Sequence, residues 1–185
     1  MPLVSFLSRL SPLGRAALGF AVASLVLAIL LQGSPRFSNA SQPGGRMPPA
    51  LAIQFAGTVE DVELILGEAP SPDREVMRFK LYLDFVFIPA YCGLLVTLGL
   101  LARAGSGWSR IAGSAAALCA VAGGVFDVLE NRATLAIVDT SLQATSQPMI
   151  DAVRSAAATK WIVLALSVIF LSSHYVRRWL AKPKP

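Results

Sequence analysis

The chain has 185 residues, of which 55% are hydrophobic and only 15% are charged, with a net charge of +5. Soluble globular proteins carry roughly 25% charged residues, so this composition favours a bilayer protein over one with a large soluble core. Cys92 and Cys119 both lie inside apolar blocks, which excludes the disulfide framework of a small secreted protein. We therefore predict a single integral membrane domain over residues 1–185.

Four apolar blocks are long enough to cross the hydrocarbon core as helices. The first exceeds the length of a typical signal-peptide core, so we interpret it as an uncleaved helix rather than a signal peptide. The four spans are predicted at about 16–32, 81–102, 111–138 and 150–175. The predicted fold class is all-α, a four-helix transmembrane bundle.

An outer loop, residues 33–80, joins the first two spans. Its first part, GSPRFSNASQPGGR, is rich in Pro, Gly and Ser and is predicted to be mobile. Its second part, residues 50–66, is predicted to be an additional extracytoplasmic amphipathic helix, because prolines precede it and a glycine follows it. Phe55, Val59 and Val62 share one stripe of this helix, and we expect them to pack on the bundle as a lid rather than on lipid.

The basic residues predict the orientation. The N-terminal tail, the short loop between spans two and three, and the C-terminal tail lie on one side of the membrane and contain no acid. Their basic residues are Arg9, Arg15, Arg103, Arg110, Arg177, Arg178, Lys182 and Lys184. The positive-inside rule then places both termini in the cytoplasm, and the predicted location is the bacterial inner (plasma) membrane.

Three predicted helices bring ionisable groups to one depth. Asp84, Asp127 and Lys160 lie nineteen, seventeen and seventeen residues from a cytoplasmic arginine on their own helices, or about 26–28 Å. Glu130 and Asn131 lie one turn beyond Asp127. Because a charge that faces lipid costs several kcal/mol, we expect these side chains to face the bundle interior, near the outer leaflet.

Two further features complete the predicted site. Tyr91 lies two turns from Asp84 on the same stripe of the second span. On the third span, Ala116, Ala120 and Gly124 form a ridge of small residues that lets helices approach closely just before the acids. The predicted binding residues are Asp84, Tyr91, Asp127, Glu130, Asn131 and Lys160.

The segments YLDFVFIPAY and FDVLENRATL stand some thirty-five residues apart. They resemble the LDF…Y and DxxEN elements of a family of small bacterial four-span integral membrane proteins whose function is uncharacterised. The segment LAIQFAGTVEDVELIL is similar to the helix that precedes the second span in that family. The resemblance covers roughly residues 50–135 and implies no activity. It implies that one recurrent pattern contains Asp84, Tyr91, Asp127, Glu130 and Asn131.

Three functional hypotheses follow from these residues. The first is a binding or accessory protein whose carboxylate–lysine pocket holds a small amphiphile or lipid, or stabilises a partner. The second is a membrane enzyme for a lipid-like substrate, with Asp127 or Glu130 as acid/base and Tyr91 as donor. The third is a small proton-coupled transporter subunit. In a purely structural alternative, Lys160 pairs with an acid only to fix helix register. An open cavity from Tyr91 to the acids favours an enzyme, and tight pairing favours the structural role.

No cofactor is predicted. His174 is the single histidine and neither cysteine is near it in the sequence, so haem and zinc lack a ligand set. The acids alone would suit a hard cation, but Lys160 at the same depth argues against a metal. The expected partners are membrane lipids, a small amphiphilic ligand, and a second copy of the chain or a larger membrane complex. The basic termini indicate attraction to anionic lipid rather than to nucleic acid.

The orientation is testable by labelling introduced cysteines in intact cells with a membrane-impermeant thiol reagent. We expect Ser41→Cys to react from outside and Ser106→Cys to react only after the cells are opened, because the two positions lie on opposite sides of the predicted bundle. Labelling of both positions from the same side would contradict the topology.

Overall fold

The structure of the chain, a computed structural model, describes residues 10–33, 35–37, 47–105 and 107–180, and within them every regular element is helical. In chain order the elements are α1 (Pro12–Gly33), α2 (Pro49–Ala52), a 3-10 turn (Ile53–Phe55), α3 (Val59–Leu66), α4 (Pro72–Arg103), α5 (Trp108–Val138), a second 3-10 turn (Leu142–Ala144) and α6 (Gln147–Leu180). The predicted all-α bundle of four long helices is confirmed.

The long helices α1, α4, α5 and α6 are each long and apolar enough to cross a membrane, so the protein is a multi-pass membrane protein. All four extend beyond the predicted apolar segments, and α4 and α6 extend furthest. Helix α4 begins at Pro72 rather than residue 81, because a proline followed by acids in the first turn suits a helix N-terminus. Several predicted features lie outside the described residues, namely Arg9, Lys182, Lys184, both labelling positions and most of the segment GSPRFSNASQPGGR.

The chain divides into two compact units of opposite charge character. One, the basic unit, consists of Met1–Val26, Pro89–Gly124 and Trp161–Pro185, and its sequence contains no Asp or Glu. The other, the acidic unit, consists of Leu27–Ile88 and Val125–Lys160 and contains all 11 acids of the chain. Each long helix contributes residues to both units.

The core of the acidic unit is built around the segment between α1 and α4. It includes Ile53, Val62, Ile65, Leu66, Met77, Leu81, Ile137, Val138, Ile150 and Val153. Val62 is fully buried and Val59 packs against this core, as predicted. The prediction for Phe55 was wrong, because 59% of its surface is exposed.

The predicted continuous helix over residues 50–66 is broken between Phe55 and Val59, and this break explains the error. Because the backbone is extended at the break, the side chains on its two sides face directions that differ from those in one continuous helix. As a result Ile53 and Ile65, which do not fit the predicted stripe, are each 2% exposed, while Phe55 faces outward.

A capping box at Thr58 accounts for the break. Thr58 Oγ1 accepts a hydrogen bond from Asp61 N at 3.2 Å, and Asp61 Oδ2 accepts from the backbone N–H groups of Gly57 and Thr58 at 2.7 and 3.1 Å. These bonds satisfy donors that a new helix start leaves unpaired. Hydrogen bonds from its own backbone N–H and from Thr58 also lower the pKa of Glu60, which keeps a negative charge at the positive end of α3.

A buried arginine, Arg74, closes the end of α5. It is 2% exposed. Its Nη1 donates to the carbonyls of Ile137, Val138 and Thr140 at 2.9, 3.1 and 2.7 Å, and its Nε donates to Gly67 O at 3.0 Å. The last carbonyls of a helix have no intrahelical donor, and a cation there is favourable. Arg74 therefore ties the start of α4 to the ends of α3 and α5.

Small residues form the packing surfaces of the basic unit. A Cβ added at Gly99 on α4 would lie 2.7 Å from Gly113 O on α5, so this helix contact requires a glycine. Ala116 and Ala120 are fully buried, and Ser167 Oγ on α6 donates to Ala116 O at 2.8 Å. The predicted ridge of small residues on α5 is therefore a packing face.

We expect Arg74→Met to lower the free energy of unfolding by about 3 kcal/mol, because buried carbonyls lose their donor. The matched control is Arg78→Met, one turn further along α4. Arg78 makes only partly exposed ion pairs with Glu75 and Asp139, so its loss should cost about 1 kcal/mol or less. Denaturation of both variants in detergent measures the difference, and equal losses would contradict the capping role of Arg74.

Candidate functional site

Lys160 on α6 is held between two carboxylates of α5. Its Nζ lies 3.0 Å from Asp127 Oδ1 and 2.5 Å from Glu130 Oε2. The side chains of Lys160, Asp127 and Glu130 are 6%, 7% and 3% exposed, so the contact is almost free of solvent. The contact with Asp127 is a hydrogen bond, whereas Glu130 Oε2 lies close to the ammonium without a directed hydrogen bond. Lys160 therefore joins α5 and α6 through a buried double ion pair.

A second polar contact joins α4 to α5. Asn131 Nδ2 donates to Asp84 Oδ2 at 2.7 Å. Asp84 also lies near enough to Asp127 and Lys160 to interact with both electrostatically. The five residues Asp84, Asp127, Glu130, Asn131 and Lys160, called here the carboxylate–lysine cluster, thus connect three transmembrane helices within the acidic unit.

Helical spacing explains why α5 supplies three of the five side chains. Asp127, Glu130 and Asn131 stand at positions i, i+3 and i+4, which share one helix face. Thr134, one turn further, is fully buried on the same helix, and its Oγ1 makes no hydrogen bond with the described residues. Thr134 is not among the predicted site residues, although its i+4 spacing from Glu130 is visible in the sequence.

The structure brings five of the six predicted site residues together, and the sixth is Tyr91. Tyr91 is half-buried and belongs to the basic unit. The predicted role of Tyr91 as a proton donor stays a prediction.

The cluster contains three carboxyl groups and one ammonium group. If all are ionised, it carries an excess of two negative charges in a mostly apolar environment, which is costly unless protons or further polar groups offset it. Lys160 occupies the position between Asp127 and Glu130 that a cation would need. Across residues 10–33, 35–37, 47–105 and 107–180, no group of three or more His, Cys, Asp or Glu side chains is arranged to hold a metal ion. The contacts of Lys160 with Asp127 and Glu130 amount to internal charge pairing.

Comparison of the chain with protein-family models, with curated proteins and with solved structures finds no match. The resemblance to the bacterial four-span family consequently stays a prediction. Function has to be inferred from the geometry and charge of the residues themselves.

The ion pairs are testable by double-mutant cycles that combine Lys160→Met with Asp127→Asn and, separately, with Glu130→Gln. Lys160→Met alone should lower the free energy of unfolding by about 3–5 kcal/mol, because two buried carboxylates lose their partner. The free energy of unfolding of each double variant should fall by less than the sum of the decreases in its two single variants, with a coupling of about 1 kcal/mol or more.

Thermal melts in detergent measure these energies. Lys80→Met, whose Nζ donates to Leu31 O, serves as the control lysine and should show no coupling to Glu130→Gln. Additive losses in both Lys160 cycles would mean that Lys160 pairs with neither acid.

Proposed function

We propose that the chain is a non-catalytic accessory protein of the bacterial inner membrane, with both termini in the cytoplasm. In this proposal the carboxylate–lysine cluster fixes one arrangement of α4, α5 and α6 within the acidic unit, and lipids or a membrane partner recognise the surface that these helices form there. The observation that carries the proposal is the contact of Lys160 with two carboxylates at 3.0 and 2.5 Å in a buried environment.

The pairing favours an accessory role over the enzyme hypothesis. An acid/base catalyst must place a carboxyl group within hydrogen-bond reach of a substrate proton. Asp127 and Glu130 are only 5% and 2% exposed, and their nearest charged partner is Lys160 of the same chain. The charged groups are thus engaged with one another rather than presented to a substrate.

The bilayer gives a physical reason for such a cluster. Lipid tails are as apolar as leucine, so burial of apolar surface does not drive membrane helices together. A buried ammonium group that needs carboxylates from a neighbouring helix selects which helix faces meet, although its desolvation limits the net stability gained. This selectivity is what a scaffold requires.

The charge distribution supports the proposed orientation. The Lys and Arg residues of the basic unit stand in a part of the sequence without acids, which is the pattern of cytoplasmic membrane flanks. All acids, including the cluster, belong to the acidic unit, which we place toward the outer leaflet.

The charge excess of the cluster favours a second candidate function, that of a small proton-coupled transporter subunit. Two carboxyl groups that share one lysine, with the Asp84 carboxyl group on the neighbouring Asn131, form a set that protons can enter and leave. A transporter subunit requires the titratable groups themselves for its function, whereas the proposed accessory function requires only the helix packing that these groups maintain.

A neutral variant that combines Asp84→Asn, Asp127→Asn, Glu130→Gln and Lys160→Met separates the two functions. It removes both partners of each ion pair, so it should be more stable than Lys160→Met alone. The readouts are its abundance in the membrane, its melting temperature, and its ability to complement a deletion strain grown under envelope stress at several values of external pH.

The accessory proposal predicts that the neutral variant complements the deletion strain in proportion to its folded amount. A folded, abundant neutral variant that does not complement would overturn the accessory proposal and support proton coupling. A Lys160→Met variant as stable as the neutral one would remove the structural basis of the proposal.

A further inference from the structure

The basic unit contains a cleft of about 600 Å³, which is within the usual size range of small-ligand sites. The end of α4, the start of α5 and the last turns of α6 line it. Its polar lining consists of Trp108, Ser109, His174, Arg177 and Arg178. These residues are separate from the carboxylate–lysine cluster, which belongs to the acidic unit.

The two arginines of the cleft have no acidic partner among the described residues. The sequence of the basic unit contains no Asp or Glu. Over the part of the chain that the structure describes, neither Arg177 nor Arg178 makes a hydrogen bond or an ion pair. The guanidinium of Arg177 stacks over the Trp108 ring, at 4.9 Å from the ring centroid. Because each guanidinium carries five N–H donors, the cleft presents a dense set of donors for which the described part of the chain supplies no acceptor.

His174 and the start of α5 add further donors to the cleft. His174 is 5% exposed, and its Nδ1 lies 3.1 Å from Ser109 Oγ. When the Ser109 hydroxyl donates to Nδ1, the ring proton is on Nε2, which has no hydrogen-bond partner among the described residues. Helix α5 begins at Trp108, so the positive end of its dipole also lies at the cleft.

We propose that this cleft binds the phosphate group of an anionic phospholipid. Guanidinium groups match phosphate oxygens through paired hydrogen bonds, and basic pockets between transmembrane helices are typical sites for anionic headgroups. The shared chemistry is a phosphate anion, and the surroundings favour a lipid source over a soluble one. Val176, Trp179 and Leu180 next to the arginines are 54%, 71% and 67% exposed, which gives acyl chains an apolar surface beside the headgroup.

Native mass spectrometry of the full chain in detergent tests the proposal with three probes: phosphatidylglycerol, phosphatidylcholine and glycerol 3-phosphate. We expect the first bound lipid to be phosphatidylglycerol, at least about tenfold more tightly than phosphatidylcholine. The double variant Arg177→Gln/Arg178→Gln should weaken phosphatidylglycerol binding about 30-fold.

The matched control is Arg103→Gln/Arg110→Gln, which removes the same charge from the same unit but from outside the cleft lining. It should weaken binding about threefold or less, because only screened, longer-range attraction is lost. The melting temperature of each variant is measured first. If the double variant in the cleft does not fold, Arg178→Gln alone replaces it, with Arg110→Gln as its control.

Equal losses in the cleft variant and its control would overturn the site and leave only diffuse attraction to the basic unit. Equal binding of phosphatidylglycerol and phosphatidylcholine would overturn the preference for an anionic lipid. Binding of glycerol 3-phosphate as tight as that of phosphatidylglycerol would overturn the lipid assignment in favour of a soluble phosphate ligand.

Discussion

The ion pairs of a buried ammonium group constrain the helix packing of the acidic unit more than any other interaction. Lys160 stands on a transmembrane helix with 5% of its surface exposed, and its own helix offers no carboxylate at that level. Asp127 and Glu130 must therefore come from α5, which determines the faces that α5 and α6 present to each other. Asp84 joins through Asn131, so α4 is oriented by the same cluster. Without water to solvate these groups, few other arrangements of the three helices satisfy them.

Charge is also partitioned between the two units. In the acidic unit, two buried cations are enclosed by protein acceptors, Lys160 by carboxylates and Arg74 by the carbonyls at the end of α5. In the basic unit, Arg177 and Arg178 have no acid of their own unit to pair with. Lysine and arginine side chains therefore have different roles in the two units. Enclosed cations hold helices together, whereas in our proposal the two arginines of the cleft bind an anion from the membrane.

Much of this arrangement could be predicted from the sequence, because bilayer thickness and the cost of lipid-facing charge act on local patterns. The four apolar blocks indicate the long helices, and equal spacing from basic flanks indicates that Asp84, Asp127 and Lys160 share a depth. The two charge partners of Lys160 remained alternatives, because only side-chain positions show that it contacts both. The cap formed by Arg74 depends on contacts with distant carbonyls, which leave no local pattern. The break before α3, by contrast, was visible in the sequence as the capping box T-V-E-D. The stripe of apolar residues led instead to the prediction of one continuous helix.

The most direct test of the account is a distance measurement at Lys160 in a lipid bilayer. Solid-state NMR with ¹⁵N-labelled lysine and ¹³C-labelled carboxyl groups measures the dipolar coupling between Nζ and each carboxyl carbon, assigned with Asp127→Asn and Glu130→Gln. Two couplings are expected, consistent with N–O distances of 3.0 and 2.5 Å, each lost in its own variant. Coupling to neither carboxyl group would contradict the claim that this lysine holds α5 and α6 together.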